Sequence, residues 1–249
     1  MISSFVLRTG IVVVTFVVAG FVKGVTGMGL PTVAMGILGT LMLPAQAAAL
    51  LLLPSFVTNV WQLFAGPGVL ALTRRLWPMM AGIVVGTIAA ASFIAGGGGV
   101  WAVVGLGVAL TLYAAAGLMA WRFSVPARYE RWLSPAIGTV TGVVTGGTGV
   151  FVVPAVPYLQ GLALKKEDLV QALGLSFTVS TIALAIGLVR ENAFAVGDLR
   201  ASLFAVVPAL AGMAIGQRVR GRISAETFRR WFFICLLALG IQLIARAFV

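Results

Sequence analysis

The chain has 249 residues, of which 61% are apolar and only 9% charged. A soluble domain is about 45–50% apolar and about 25% charged, so composition excludes an ordinary water-soluble enzyme, a disordered chain and a nucleic-acid-binding domain. The chain has no His and a single Cys, Cys235, which excludes an intrachain disulfide and argues against a zinc site built on those residues.

Ten apolar segments follow in chain order: 9–29, 30–43, 45–65, 77–95, 100–121, 133–147, 148–163, 169–189, 200–217 and 229–248. The expected fold class is therefore an all-α integral membrane protein. A spanning helix needs about 20 mostly apolar residues. The segments 30–43, 133–147 and 148–163 are too short for that and read as half-helices or re-entrant pieces. The first segment runs past Gly20 with no A-x-A-like cleavage site and reads as a membrane segment, not a cleaved leader.

The net charge of +11 comes from 17 Lys/Arg against 6 Asp/Glu. The basic residues cluster between apolar segments: Arg74 and Arg75; Arg122, Arg128 and Arg131; Lys165 and Lys166; and Arg218, Arg220, Arg222, Arg229 and Arg230. Placing these four groups in the cytoplasm puts 12 of the 17 positive charges inside, as positive residues orient polytopic membrane proteins. Arg8, Arg190 and Arg200 then lie outside with both termini, Arg246 lies near the outer end of the last segment, and Lys23 lies within a segment. The expected location is the cell inner (plasma) membrane, crossed several times.

The two halves share landmarks in the same order. Pro78, Ala81, Gly82 and Gly86 return as Pro208, Ala211, Gly212 and Gly216. Ser55-Phe56 returns as Ser176-Phe177, and Gly20 and Gly24 return as Gly138 and Gly142. Each half then carries a Thr/Gly-rich stretch, Thr26-Gly27-Met28-Gly29 and Thr145-Gly146-Gly147-Thr148-Gly149, with Pro31 or Pro154 soon after. This predicts two repeats, 1–124 and 125–249, of about five segments each. Five is odd and the charge map starts the halves on opposite sides, so the repeats are expected to be inverted, an arrangement used by many secondary transporters.

The two glycine-rich stretches are the main chemical feature. Glycine costs about 1 kcal/mol per helical position relative to Ala, and proline lacks the N–H a helix interior needs. Freed backbone groups are tolerated at membrane depth only where protein buries them or a wet cavity receives them. Half-helix N-termini carry bare N–H groups and partial positive charge, which suits an anion. The expected substrate-binding set is Lys23, Gly24, Thr26, Gly27 and Gly29 in the first half, with Thr145, Gly146, Gly147, Thr148 and Gly149 in the second. Lys23 is the ionisable residue deepest in an apolar segment, and such residues are functional candidates by default. The next segment of each half adds Asn59 and Gln62, and Ser176 and Ser180, from polar faces that also include Ser55, Thr58, Gln171, Thr178 and Thr181. Interhelical hydrogen bonding explains those faces equally well.

The six acids, Glu130, Glu167, Asp168, Glu191, Asp198 and Glu226, all lie in or near loops. A buried carboxylate relay and a carboxylate cation site are therefore unsupported. The chain also lacks a His base and a Walker-type G-x-x-x-x-G-K sequence, so the expectation is no enzyme, no metal and no cofactor. An inside-negative potential assists export of a monoanion by about 2.3 kcal/mol per 100 mV.

The stretches GFVKGVTGMGLPTVAMGILGTLMLPAQAAALLLLPSFVTNVWQ and GTVTGVVTGGTGVFVVPAVPYLQGLALKKEDLVQALGLSFTVS resemble the TauE/SafE sulfite exporter family of membrane permeases. The resemblance implies transport of sulfite, organosulfonates or related small sulfur-containing anions, without an organic cofactor. The partners implied are a small anionic substrate and the lipid bilayer, with no nucleic acid and with a homodimer left open. The reading is an alternating-access exporter with its anion between the repeats, near both glycine breaks at mid-membrane. The alternatives are an anion channel and a non-transport membrane assembly subunit.

Overall fold

The computed structural model describes residues 2–119, 124–194, 196–222 and 224–248. Arg122, of the central basic group, lies outside them. The described residues form ten α-helices and no strand. They are α1 (Ile2–Thr26), α2 (Leu30–Leu38), α3 (Pro44–Leu63), α4 (Val69–Ser92), α5 (Val100–Leu118), α6 (Ala127–Thr148), α7 (Ala155–Gly161), α8 (Lys166–Arg190), α9 (Val196–Val219) and α10 (Ala225–Arg246). A π-type turn at Phe93–Gly97 leads from α4 towards α5.

Six of these helices, α1, α4, α5, α8, α9 and α10, are long and apolar enough to cross a membrane. Helices α3 and α6 reach the length, with 20 and 22 residues, but are more polar. Their polarity belongs to an interior position. Ser55, Thr58, Asn59 and Gln62 of α3 are buried, as are Ser134, Thr141, Thr145 and Thr148 of α6. Polar side chains in lipid are normally turned toward protein.

The structure corrects three segment boundaries. Segment 133–147 is no half-helix, because α6 runs for 22 residues. Segment 148–163 holds an extended stretch followed by the seven-residue α7. Helix α4 begins at Val69, so Arg74 and Arg75 ride on its first turns. The cause of the first and third errors is the same: a helix continues past its apolar part wherever polar residues of good helix propensity follow, and hydropathy does not register those turns. Arg75 and Glu130 lie on these polar turns and join α4 to α6 through an ion pair of 2.6 Å.

Packing exchanges the two halves. Helix α1 packs on α9 and α6 on α4, while α3 lies between α8 and α9, α4 also touches α8, and α5 pairs with α10. The repeated glycines make the closest of these contacts. A Cβ on Gly20 or Gly24 would overlap the carbonyl of Ala209 or Met213, and one on Gly212 or Gly216 would overlap that of Val17 or Phe21. Between α4 and α6, Gly138 and Gly142 press on the carbonyls of Met79 and Ile83, and Gly82 and Gly86 press on those of Pro135 and Thr139. With little hydrophobic gain available between helices in lipid, such small-residue contacts supply the packing.

These contacts also give directions. Helices α1, α3 and α9 run parallel, since Val17–Gly24 tracks Ala209–Gln217 and Ser202 bonds to Leu50 O and Leu53 N. Helices α4, α6 and α8 run parallel to one another, and α3 opposes α8 because Gln62 bonds to Val170 O and Gln171 to Leu63 O. One end of the bundle gathers the Arg75–Glu130 pair, the Val125–Gly161 backbone bond and the Gln171–Gly68 bond. Arg74, Arg75, Arg128, Arg131, Lys165 and Lys166 therefore share that end, as the charge map expects.

Candidate functional site

Both glycine-rich stretches contain a break, but a shorter one than the sequence suggests. Helix α1 continues through Gly24 to Thr26, and α6 continues through Thr145, Gly146 and Gly147 to Thr148. The breaks fall at Gly27–Gly29 and Gly149–Pro154. Gly27, Gly29 and Gly149 have φ of 81°, 98° and 73°, the left-handed region that glycine enters at little cost. At each break a threonine closes the helix. Thr26 Oγ1 donates to Val22 O at 2.9 Å and accepts the Met28 N–H at 3.2 Å. Thr148 Oγ1 donates to Val144 O at 2.6 Å and accepts the Val150 N–H at 3.2 Å.

The breaks lie towards opposite ends of the bundle. Gly24 meets Gln217 close to the end of α9, and Gly146 meets Thr87 and Ala90 close to the end of α4. The two helix pairs point in opposite directions, which separates the breaks. What lies between them is a polar contact joining α1, α3 and α8. Lys23 is 3% exposed, and its Nζ donates to Asn59 Oδ1. Asn59 Nδ2 in turn donates to Thr181 Oγ1, at 3.3 Å, in the central part of α8. No carboxylate lies within ion-pair distance of Lys23 among the described residues.

Several buried donors around this contact have no partner. Ser55 Oγ, Ser176 Oγ and Ser180 Oγ are unbonded and their residues are fully buried. Gln62 uses its Nε2 on Val170 O at 3.0 Å and leaves its Oε1 unpartnered. Ser55, Asn59 and Gln62 occupy one face of α3, and Ser176 and Ser180 one face of α8, by helical spacing. Thr58, Thr145, Thr178 and Thr181 instead donate to carbonyls of their own helices.

The non-helical stretch after Gly149 reaches α8 at Phe177. Val150, Phe151 and Val152 are fully buried. The Phe151 ring meets that of Phe177, beside Ser176, with centroids 5.4 Å apart. A side chain on Gly149 would meet Met35 Sδ of α2 at 3.1 Å and Ala48 of α3 at 3.5 Å. The N–H groups of Phe151 and Val152 have no partner among the described residues. In α7, Val156 and Tyr158 bond back to Val152 O and Pro154 O and Pro157 has no N–H, while the N–H of Ala155, fully buried at the helix start, also lacks a partner among the described residues. More than 90% of buried backbone groups are paired in native proteins, so these amides, and the hydroxyls of Ser55, Ser176 and Ser180 on the two helices joined to Lys23 through Asn59, stand out as buried groups without an acceptor.

The expected site residues thus divide. Lys23, Asn59, Ser176 and Ser180 lie on the helices that meet at this contact, and Gln62 lies one helical step along α3. Gly24 and Gly146 sit in helix contacts, and Gly147 lies inside α6 with the Phe93 ring at ordinary contact. Thr26, Gly27, Gly29, Thr148 and Gly149 form the two breaks, and Thr145 bonds within α6. The expected set lacked Ser55, Thr32, Thr87 and the amides of Phe151 and Val152. Ser55 carried a signal, its repeat relation to Ser176. Thr32 and Thr87 are buried with unpartnered hydroxyls and carried none.

Chemically, the arrangement combines one buried lysine with several neutral hydroxyl and amide groups, a set complementary to an acceptor such as an oxyanion. Among the described residues no three His, Cys, Asp or Glu side chains gather as a metal set. Neither a curated protein nor a solved structure matches the chain. A family model described as "Sulfite exporter TauE/SafE" matches residues 12–243, a span that includes both breaks, Lys23 and the polar faces of α3 and α8. The chain therefore belongs to the TauE/SafE sulfite exporter family, a family of multi-pass membrane anion exporters.

Proposed function

We propose that this protein exports a small sulfur-containing anion, sulfite or an organosulfonate, across the plasma membrane by alternating access. The anion sits where α1, α3 and α8 meet, against the extended chain at Val150–Val152. The observation that carries this reading is Lys23, a buried lysine with no carboxylate partner among the described residues, held by Asn59 between helices α3 and α8, whose Ser55, Ser176 and Ser180 hydroxyls lack acceptors. Residues 1–124 and 125–249 act as inverted repeats that rock against each other. The opposed directions of α1 and α6, and the way α1 packs on α9 while α6 packs on α4, support that division.

Reconstituted liposomes test it. Sulfite, thiosulfate and organosulfonates are offered as a panel, and the expected result is that at least one of them shows saturable uptake accelerated by the same anion on the other side. Conductance without saturation or counterflow would establish a channel instead, and no movement of any anion would leave a membrane assembly role.

A further inference from the structure

The charge balance around Lys23 selects among anions. Helices α2 and α3 and the segment 149–161 contain no charged residue. The charges of α8, Lys166, Glu167, Asp168 and Arg190, lie at its ends, α1 adds only Arg8, nearly two turns from the opposite end to Lys23, and Arg218 of α9, beside the Gln217 that meets Gly24, is exposed. With Lys23 protonated, the buried region therefore has a net charge of one. Its other groups, Ser55, Ser176, Ser180, Asn59 and the amides of Phe151 and Val152, are neutral. They orient oxygen atoms but balance no charge.

We infer that the site is matched to oxyanions bearing one negative charge, such as a sulfonate or hydrogensulfite, and rejects a doubly charged oxyanion of similar size, such as sulfate. This rests on the transport reading above. A singly charged guest forms a neutral buried pair with Lys23. A doubly charged one leaves an unbalanced charge away from water, and a buried charge without a partner is strongly unfavourable. The donors also suit a group with three oxygens. The Lys23 ammonium has three N–H groups, one used on Asn59, and Ser55, Ser176 and Ser180 offer a hydroxyl each.

The test uses the full chain in liposomes at zero membrane potential, with radiolabelled methanesulfonate and sulfate. Methanesulfonate is expected to show saturable counterflow, with sulfate weaker by about 100-fold both as substrate and as competitor, the scale set by one unpaired buried charge. Comparable transport of both would overturn the charge rule and leave the transport reading standing. Movement of neither would overturn the transport reading, and the rule with it. An Asn59→Asp variant keeps the side-chain shape but neutralises the region. It is expected to lose methanesulfonate counterflow while melting near the parent temperature, and retained counterflow would overturn the rule. If that variant does not fold, the methanesulfonate–sulfate comparison on the parent protein decides alone.

Discussion

At the end of α1 a threonine and a left-handed glycine stop the helix, and at the end of α6 Thr148 and Gly149 do the same with matching hydrogen bonds. Beyond that shared turn the two regions part. After Gly29, α2 starts at once. After Gly149 the chain stays non-helical and fully buried through Val152 before the short α7. One turn upstream, Lys23 precedes Gly24 in the first half, whereas its counterpart before Gly142 is Thr141, which bonds to Ile137 O at 2.7 Å. The repeats thus share their scaffold, meaning glycine contacts and threonine-closed breaks, and differ in the groups that can hold a solute. The first half carries Lys23 and the unpartnered hydroxyl of Ser55, and the second carries bare amides and the unpartnered hydroxyls of Ser176 and Ser180.

The comparison breaks most severely at the shared scaffold. Gly20→Val and Gly138→Val each force a side chain into a backbone carbonyl of the facing helix. Each is expected to cost about 3 kcal/mol or more by overpacking and to remove monodisperse protein from size-exclusion chromatography. Tolerance of one but not the other would show that the two contacts are unequal. The difference between the halves is sharpened by Lys23→Ala beside Thr141→Ala. The first is expected to lower anion counterflow by about 100-fold, with expression intact, by leaving the anion buried without its partner, and the second to change it little. Unchanged transport in the lysine variant would remove Lys23 from the site.

Smaller effects are expected where bonds are local. Thr26→Val and Thr148→Val each remove one hydroxyl that serves the helix end, so each should lower stability by about 1 kcal/mol. Thermal unfolding in detergent should shift similarly for both if the two turns are equivalent. Arg75→Ala should have the least effect. Its side chain is 42% exposed beside Glu130, and an exposed pair is worth about 0–1 kcal/mol and is screened by salt. A larger loss of melting temperature would mean that the pair secures this end of the bundle beyond its Coulomb energy.

Much of this was legible in the residues. The helical membrane class followed from apolar segment length, and the grouping of Arg74, Arg75, Arg128, Arg131, Lys165 and Lys166 at one end followed from their spacing. The glycine breaks were located to within a few residues, because positive φ and a following proline are local properties. Gly24 and Gly146 were harder to read. A glycine that ends a helix and a glycine that lets two helices touch look alike in sequence, and only the facing carbonyls of Met213 and Thr87 distinguish them. The position of the breaks was misplaced for a related reason. Expecting both at mid-membrane ignored that α1 and α6 run in opposite directions alongside helices nearly as long as themselves.

From the residues alone it followed that the chain lives in lipid, that its helices break near two glycine-rich stretches, and that Lys23 has no acid near it along the chain. These are consequences of composition and of backbone preferences acting over a few residues. It took the packed fold to show that Lys23 meets Asn59 and, through it, Thr181, which of the many buried hydroxyls lack a partner, and that the chain after Gly149 packs on Phe177 of α8. Those pairings join residues from three separate helices and one unwound segment. Their energies arise only once packing has removed water and left each polar group to find its partner in the protein.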